Sequence, residues 1–227
     1  MPSAWQARGE RIHRRSISVS VYEHDGQRII AEGTLRDDRD QPFHTVTGGT
    51  HPAGVLHHMA VRLLVNCATL QIEDAEAELI CVPRDECRET ADSLACIKGL
   101  TVTRGFTAKV KSLAGGSRGC THLVELLTAM APAVFQGFAA HHSRKPEARG
   151  QEHARRILRY LVNTCHAWRD DGPFVASLRK KLQGKPADPQ GGAGEGLPVE
   201  GMGAEQRRAL SRPSPEKWSE FKQGEEE

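Results

Sequence analysis

Cys120 and His122 carry the strongest chemical signal in this sequence. Gly115-Gly116-Ser117-Arg118-Gly119 leads into them, and an apolar series follows at Leu123, Leu126, Leu127, Met130, Val134, Phe135 and Phe138. That spacing is one face of a long helix. The thiol therefore falls at a helix start, where unpaired N–H groups and the helix dipole favour a thiolate. Side chains two apart diverge inside a regular helix, so the pair converges only if Cys120 precedes the first turn, which the glycines permit. Three readings stay open: a thiol–imidazole pair that does catalysis, two ligands of a metal ion, or a packed thiol beside a hydrogen-bonded ring.

The remaining candidates are scattered. The other cysteines are Cys67, Cys81, Cys87, Cys96 and Cys165; with no apolar signal core at the N-terminus, reduced thiols are expected rather than a disulfide framework. Asp37 and Asp38 follow a predicted strand and read either as solvent-facing turn residues or as a source of a general base. His57 and His58 close a long Gly- and Pro-containing segment, and as neighbours on a strand they would place one ring on each face. Within that segment, Thr47-Gly48-Gly49-Thr50-His51-Pro52-Ala53-Gly54 lacks the Lys and the strand-to-helix setting of a phosphate-cradling loop, which argues against nucleotide binding there. His141 and His142 sit in a polar stretch and read as surface.

The elements that must position these groups divide the chain in two. Ile17, Val19 and Val21 alternate with serines, Asp25-Gly26 supplies a tight hairpin, and Gln27 to Leu35 returns. Met59, Val61, Leu63 and Val65 alternate again, and Leu70 to Ile80 follows as their partner. Between the two pairs lies Asp37 to Leu56, a connection long enough to be functional. Cys87, Ala91, Leu94, Ala95 and Lys98 then take helical spacing, ended by Gly99. A short helix is expected near Thr107 to Ala114, then the long helix with Pro132 as a kink, then a final helix over Phe174 to Leu182. Arg155 to Val162 fits a helix or a strand. The expected fold class is α+β, with antiparallel strands in the first 80 residues and a helical half after them. One domain spans 11–183, and 184–227, rich in Gly, Pro and acidic residues, is expected to be a disordered tail able to dock a protein partner.

Composition narrows the function classes. With 31 Lys plus Arg against 29 Asp plus Glu, the net charge is +2, which gives no electrostatic reason to expect nucleic acid. No unbroken apolar run reaches the roughly 18 residues of a bilayer span, so no membrane partner and a cytoplasmic location are expected.

The string from Gly115 to Leu127, with its Gly-Cys-Thr-His-Leu core, resembles the hallmark of a bacterial domain-of-unknown-function family, number 2889. Ile12-His13-Arg14-Arg15, Tyr22, Asp25-Gly26, Leu35-Arg36-Asp37, His58-Met59, Cys87, Lys98-Gly99-Leu100 and Cys165-His166-Ala167-Trp168 agree with that pattern in order. The resemblance covers roughly Ile12 to Leu182 and implies a site drawn from His58, Cys87, Cys120, His122 and Cys165. Thiolate and imidazole suit zinc or iron, provided the fold brings them together.

Two functions follow. The first is a metal-assisted enzyme acting on a small-molecule substrate, a lyase or hydrolase of an organic acid or aromatic metabolite. In it Cys87, Cys120, His122 and Cys165 hold the ion, and Asp37 and His58 serve catalysis. The second is a non-catalytic metal or iron-sulfur scaffold.

Overall fold

The computed structural model describes residues 7–144 and 150–183; the expected tail at 184–227 lies outside them. Strands β1 (His13–Glu23), β2 (Arg28–Arg39), β5 (Gly54–Asn66) and β6 (Ile72–Cys81) form one antiparallel sheet in the order β1-β2-β5-β6. Two short strands, β3 (Phe43–His44) and β4 (Thr50–His51), pair in the connection between β2 and β5. The helical half follows, with α1 (Phe106–Ala114), α2 (Thr121–Ser143), α3 (Gln151–Leu161) and α4 (Pro173–Gln183). The architecture is the α+β class expected from the alternation.

Alternation decides which face of the sheet is covered. Ile29, Ala31, Leu35, Met59, Val61, Leu63 and Val65 are buried on one face, against the buried stripe of α2, namely Leu123, Leu126, Leu127, Met130, Val134 and Phe138. The opposite face is polar; Arg62 on β5 bonds to Glu32 on β2 and to Glu76 on β6. Burial of each apolar side chain in this core contributes about 1.5–3 kcal/mol. Two glycines set how closely α2 approaches. A Cβ on Gly33 would lie 2.7 Å from Met130 Sδ, and one on Gly137 would lie 2.3 Å from Val21 Cγ1. By length and composition α2 could cross a membrane, with a mean hydropathy of 1.5 over 18 residues. Its apolar stripe packs on the sheet, and 39% of that window is buried.

Three details depart from expectation, and one open alternative is resolved. Residues Asp85–Ile97 wind as a 3-10 helix rather than an α-helix. Thr90 Oγ1 donates to the Cys87 carbonyl, Ser93 Oγ to that of Thr90 and Cys96 Sγ to that of Ser93, so side chains bond three residues back and favour the tighter winding. Asp37 lies inside β2 and is only 2% exposed, not in a turn. Helix α2 continues through His141, which is buried rather than at the surface, its Nε2 3.1 Å from the Gly26 carbonyl and its Nδ1 3.2 Å from Glu23 Oε1. The ambiguous stretch near residues 155–162 is helix α3.

Candidate functional site

The inward stripe of β1, β2 and β5 changes character at one end of the sheet. On β1 it runs Val21, Val19, Ile17 and then Arg15 and His13; on β2 it runs from Ile29 to Leu35 and then Asp37; on β5 it runs from Val65 to Met59 and then His57. The register places Arg15 opposite Asp37 and Asp37 opposite His57. Since cross-strand partners share a face, the three polar groups must meet. The first turn of α2 covers them, bringing His122 and Glu125 from above, with Cys120 as the extended residue preceding the helix.

Asp37 is the hub. Arg15 Nε donates to Oδ1 at 2.7 Å and its terminal nitrogen to Oδ2 at 2.6 Å, a two-point contact that fixes the carboxylate plane. His13 Nε2 lies 3.2 Å from Oδ1 and His57 Nδ1 lies 3.0 Å from Oδ2. Arg15 also pairs with Glu125. His122 Nε2 stands 3.8 Å from Oδ2, and its ring packs on that of His57 with centroids 3.9 Å apart. On its other side His122 Nδ1 is 3.7 Å from Cys120 Sγ.

The electrostatics follow from these contacts. Burial pushes the Asp37 carboxyl up, but the hydrogen bonds and charge of Arg15, with those from His13 and His57, outweigh it and hold the group well below the usual carboxylate range. Asp37 is therefore ionised at neutral pH and a weak proton acceptor. An ionised carboxylate only accepts hydrogen bonds, so the proton on His57 sits on Nδ1 and the lone pair on Nε2. Burial lowers the His57 pKa, opposed by Asp37 and reinforced by the charges of Arg15 and Arg39. His57 is thus neutral near pH 7 and carries a free basic nitrogen. For Cys120, burial opposes the thiolate, while His122 and the backbone N–H groups of Leu123 and His122 favour it and bring the pKa below its ordinary value.

Asp37, His57 and His122 also form a candidate metal site, their ligand atoms lying within 4.8 Å of one another. Two imidazoles and a carboxylate are a set that divalent ions accept.

Of the residues singled out in the sequence, Asp37, Cys120 and His122 come together here. His58 does not join them: it pairs with Arg36 and Cys81 and, next to His57 on the strand, faces the other side of the sheet. Cys87 lies in the 3-10 segment and Cys165 is exposed before the short 3-10 turn His166–Trp168, and neither belongs to the group of candidate ligands. The sequence reading gives His13, Arg15 and Glu125 no role and leaves His57 undistinguished from His58. On the strands the signal is a polar residue in phase with an apolar stripe, as for His13, Arg15 and His57; Glu125 lies off the Leu123–Phe138 stripe and carries no such signal.

Against known proteins, the model of the family described as a protein of unknown function (DUF2889) matches residues 13–136, more than half of the 227-residue chain. The chain belongs to this family. The DUF2889 match runs from the first residue of β1 into α2 and so contains Asp37, its partners and Cys120. No curated protein and no solved structure matches the chain.

Proposed function

We propose that the protein is an enzyme that moves protons on a small organic molecule, with His57 as the base and Asp37 as the group that positions it. The observation that carries this reading is the buried, ionised carboxylate of Asp37 held by Arg15 and bonded to His57 Nδ1. It fixes one tautomer and leaves Nε2 free, which is the arrangement general-base chemistry requires. His122, in contact with the His57 ring and beside Cys120, is the proton donor. In a lyase cycle His57 takes a substrate proton, the released electron pair forms a new double bond as the bond to the leaving group breaks, and His122 protonates the leaving group. In a hydrolase cycle the proton comes from the attacking water. An organic acid or an aromatic metabolite is the substrate class in keeping with this chemistry. A cytoplasmic setting, where the six free thiols stay reduced, belongs to the same proposal.

A second reading rests on the 4.8 Å grouping of Asp37, His57 and His122: these residues hold zinc or iron, which polarises a substrate oxygen. The hydrogen bonds weigh against it. A carboxylate offers about four lone-pair positions; Arg15 takes one on each oxygen, His13 another on Oδ1 and His57 another on Oδ2. An ion bound through Asp37 has to displace one of these donors next to the Arg15 cation. An iron-sulfur scaffold draws still less support, because Cys120 is the one thiol bonded to a member of the group among the described residues.

One pair of measurements tests both readings. Long-range proton–nitrogen NMR on labelled protein reports the tautomer and titration of His57, and elemental analysis of the freshly purified protein reports bound metal. The acid–base reading expects the Nδ1–H tautomer, a midpoint below the ordinary histidine value and no stoichiometric metal. One equivalent of zinc or iron that is lost in His57→Ala and His122→Ala would overturn it in favour of the metal enzyme.

A further inference from the structure

Arg39 stands two residues beyond Asp37 on β2, opposite His13 on one side and Gly54 on the other, and by strand alternation it shares the face of Asp37. Its environment is unusual for a cation. The neighbouring carboxylates are already engaged: Asp37 by Arg15, Asp38 by Arg36 and Asp40 by Arg11. The Arg39 guanidinium instead rests over the Phe43 ring, 5.5 Å from its centroid, and Phe43 in turn stacks on His51 across the β3–β4 pair at 5.1 Å and 14°. Its Nε is buried with no hydrogen-bond partner among the described residues. A buried N–H on a charged group is costly to leave unpaired, and such exceptions need an explanation. The field of Arg39 reaches the imidazole of His57.

We propose that Arg39, seated on the Phe43–His51 stack, binds the carboxylate of the substrate and so presents that substrate to His57. The charge balance selects a monoanion. Arg15 is already matched by Asp37 and Glu125, whereas Arg39 has no ion pair among the described residues and is suited to a two-point contact with a single carboxylate. A phosphate dianion beside those two acidic groups lacks the second cation it needs. An acid with a planar or aromatic body gains further from the exposed side of the ring stack. The inference rests on the proton-transfer reading for its purpose, and its test does not.

Benzoate is the probe, with benzamide as its neutral counterpart and inorganic phosphate as the competing anion, each titrated into protein labelled with nitrogen-15 in arginine. Benzoate is expected to move the Arg39 Nε–H resonance, benzamide to leave it in place, and phosphate to bind at least about tenfold more weakly, a gap of about 1.4 kcal/mol. Arg39→Gln is expected to weaken benzoate at least about tenfold while the His57 Nδ1–H tautomer persists, and Arg39→Lys to recover part of the affinity. Benzoate binding that survives in Arg39→Gln, or a wild-type Arg39 resonance indifferent to benzoate, overturns the proposal. Benzoate that still binds through Arg39 in a protein whose His57 shows the other tautomer sinks the base assignment alone.

Discussion

Replacing Asp37 with Asn removes the charge at the centre of the site and nearly preserves its shape. Deleting one partner of a buried ion pair costs about 3–5 kcal/mol when the other charge is stranded. Arg15 is not fully stranded, because its side chain is 31% exposed and keeps Glu125. Water and that second carboxylate recover part of the loss, so the expected destabilisation is about 2–3 kcal/mol, or roughly 4–12 °C in Tm for a domain of this size. The sign with pH follows from the direction of the shift. The folded-state pKa of Asp37 is depressed, so its contribution is complete above the unfolded value of about 3.9 and fades as pH falls below that toward the folded value. Urea unfolding of wild type and Asp37→Asn at pH 7, 5 and 3 reads both effects. The gap between the two proteins is expected to be full at pH 7 and 5 and to narrow at pH 3. A gap under about 0.5 kcal/mol at pH 7, which is ordinary for a surface change, or one that stays constant on acidification, would refute the assignment of Asp37 as the charged hub.

Three further outcomes are expected. Alkylation of Cys120 by iodoacetamide, followed by peptide mass spectrometry across pH, should show a midpoint below the ordinary thiol value, and His122→Ala should move that midpoint upward, since His122 is the leading favourable influence on the thiolate. His57 is depressed by burial, so acidification from pH 7 toward its folded midpoint should cost stability that His57→Gln does not lose, as seen in thermal melts at matched pH. Gly137→Ala places a Cβ 2.3 Å from Val21 Cγ1; overpacking of about 1–3 kcal/mol should exceed the roughly 1 kcal/mol gained in helix propensity, and adding Val21→Ala should restore stability in chemical denaturation.

The sheet and α2 were legible because their periods are long and uninterrupted: serines between Ile17, Val19 and Val21, and the stripe from Leu123 to Phe138. The site was half legible. Asp37, Cys120 and His122 stood out by residue type, whereas His13, Arg15 and His57 are recognisable only once the strand register sets them on one face. His58 drew attention over His57 because neighbours on a strand cannot be told apart without knowing which one shares parity with Met59. The thiol ligand set rested on the family resemblance and required the fold to bring Cys87 and Cys165 to Cys120, which no spacing in the sequence could establish; Cys87 lies in the 3-10 segment and neither joins the group around Asp37. The burial of His141 was missed because the apolar stripe reads as ending at Phe138, whereas α2 runs one turn further and keeps His141 in phase with Val134 and Phe138.

The groups around Asp37 ride on three strands and on a helix that follows them in sequence, with Arg15 and Glu125 separated by 110 positions. No single local hairpin or nascent helix can assemble all of them, so the cluster is complete only when α2 has docked on the sheet. The protonation state of His57 is thus an intrinsic clock for folding: its perturbed titration should emerge together with the slowest kinetic phase, and a small molecule seated there should act as a clamp that retards the departure of α2 during unfolding.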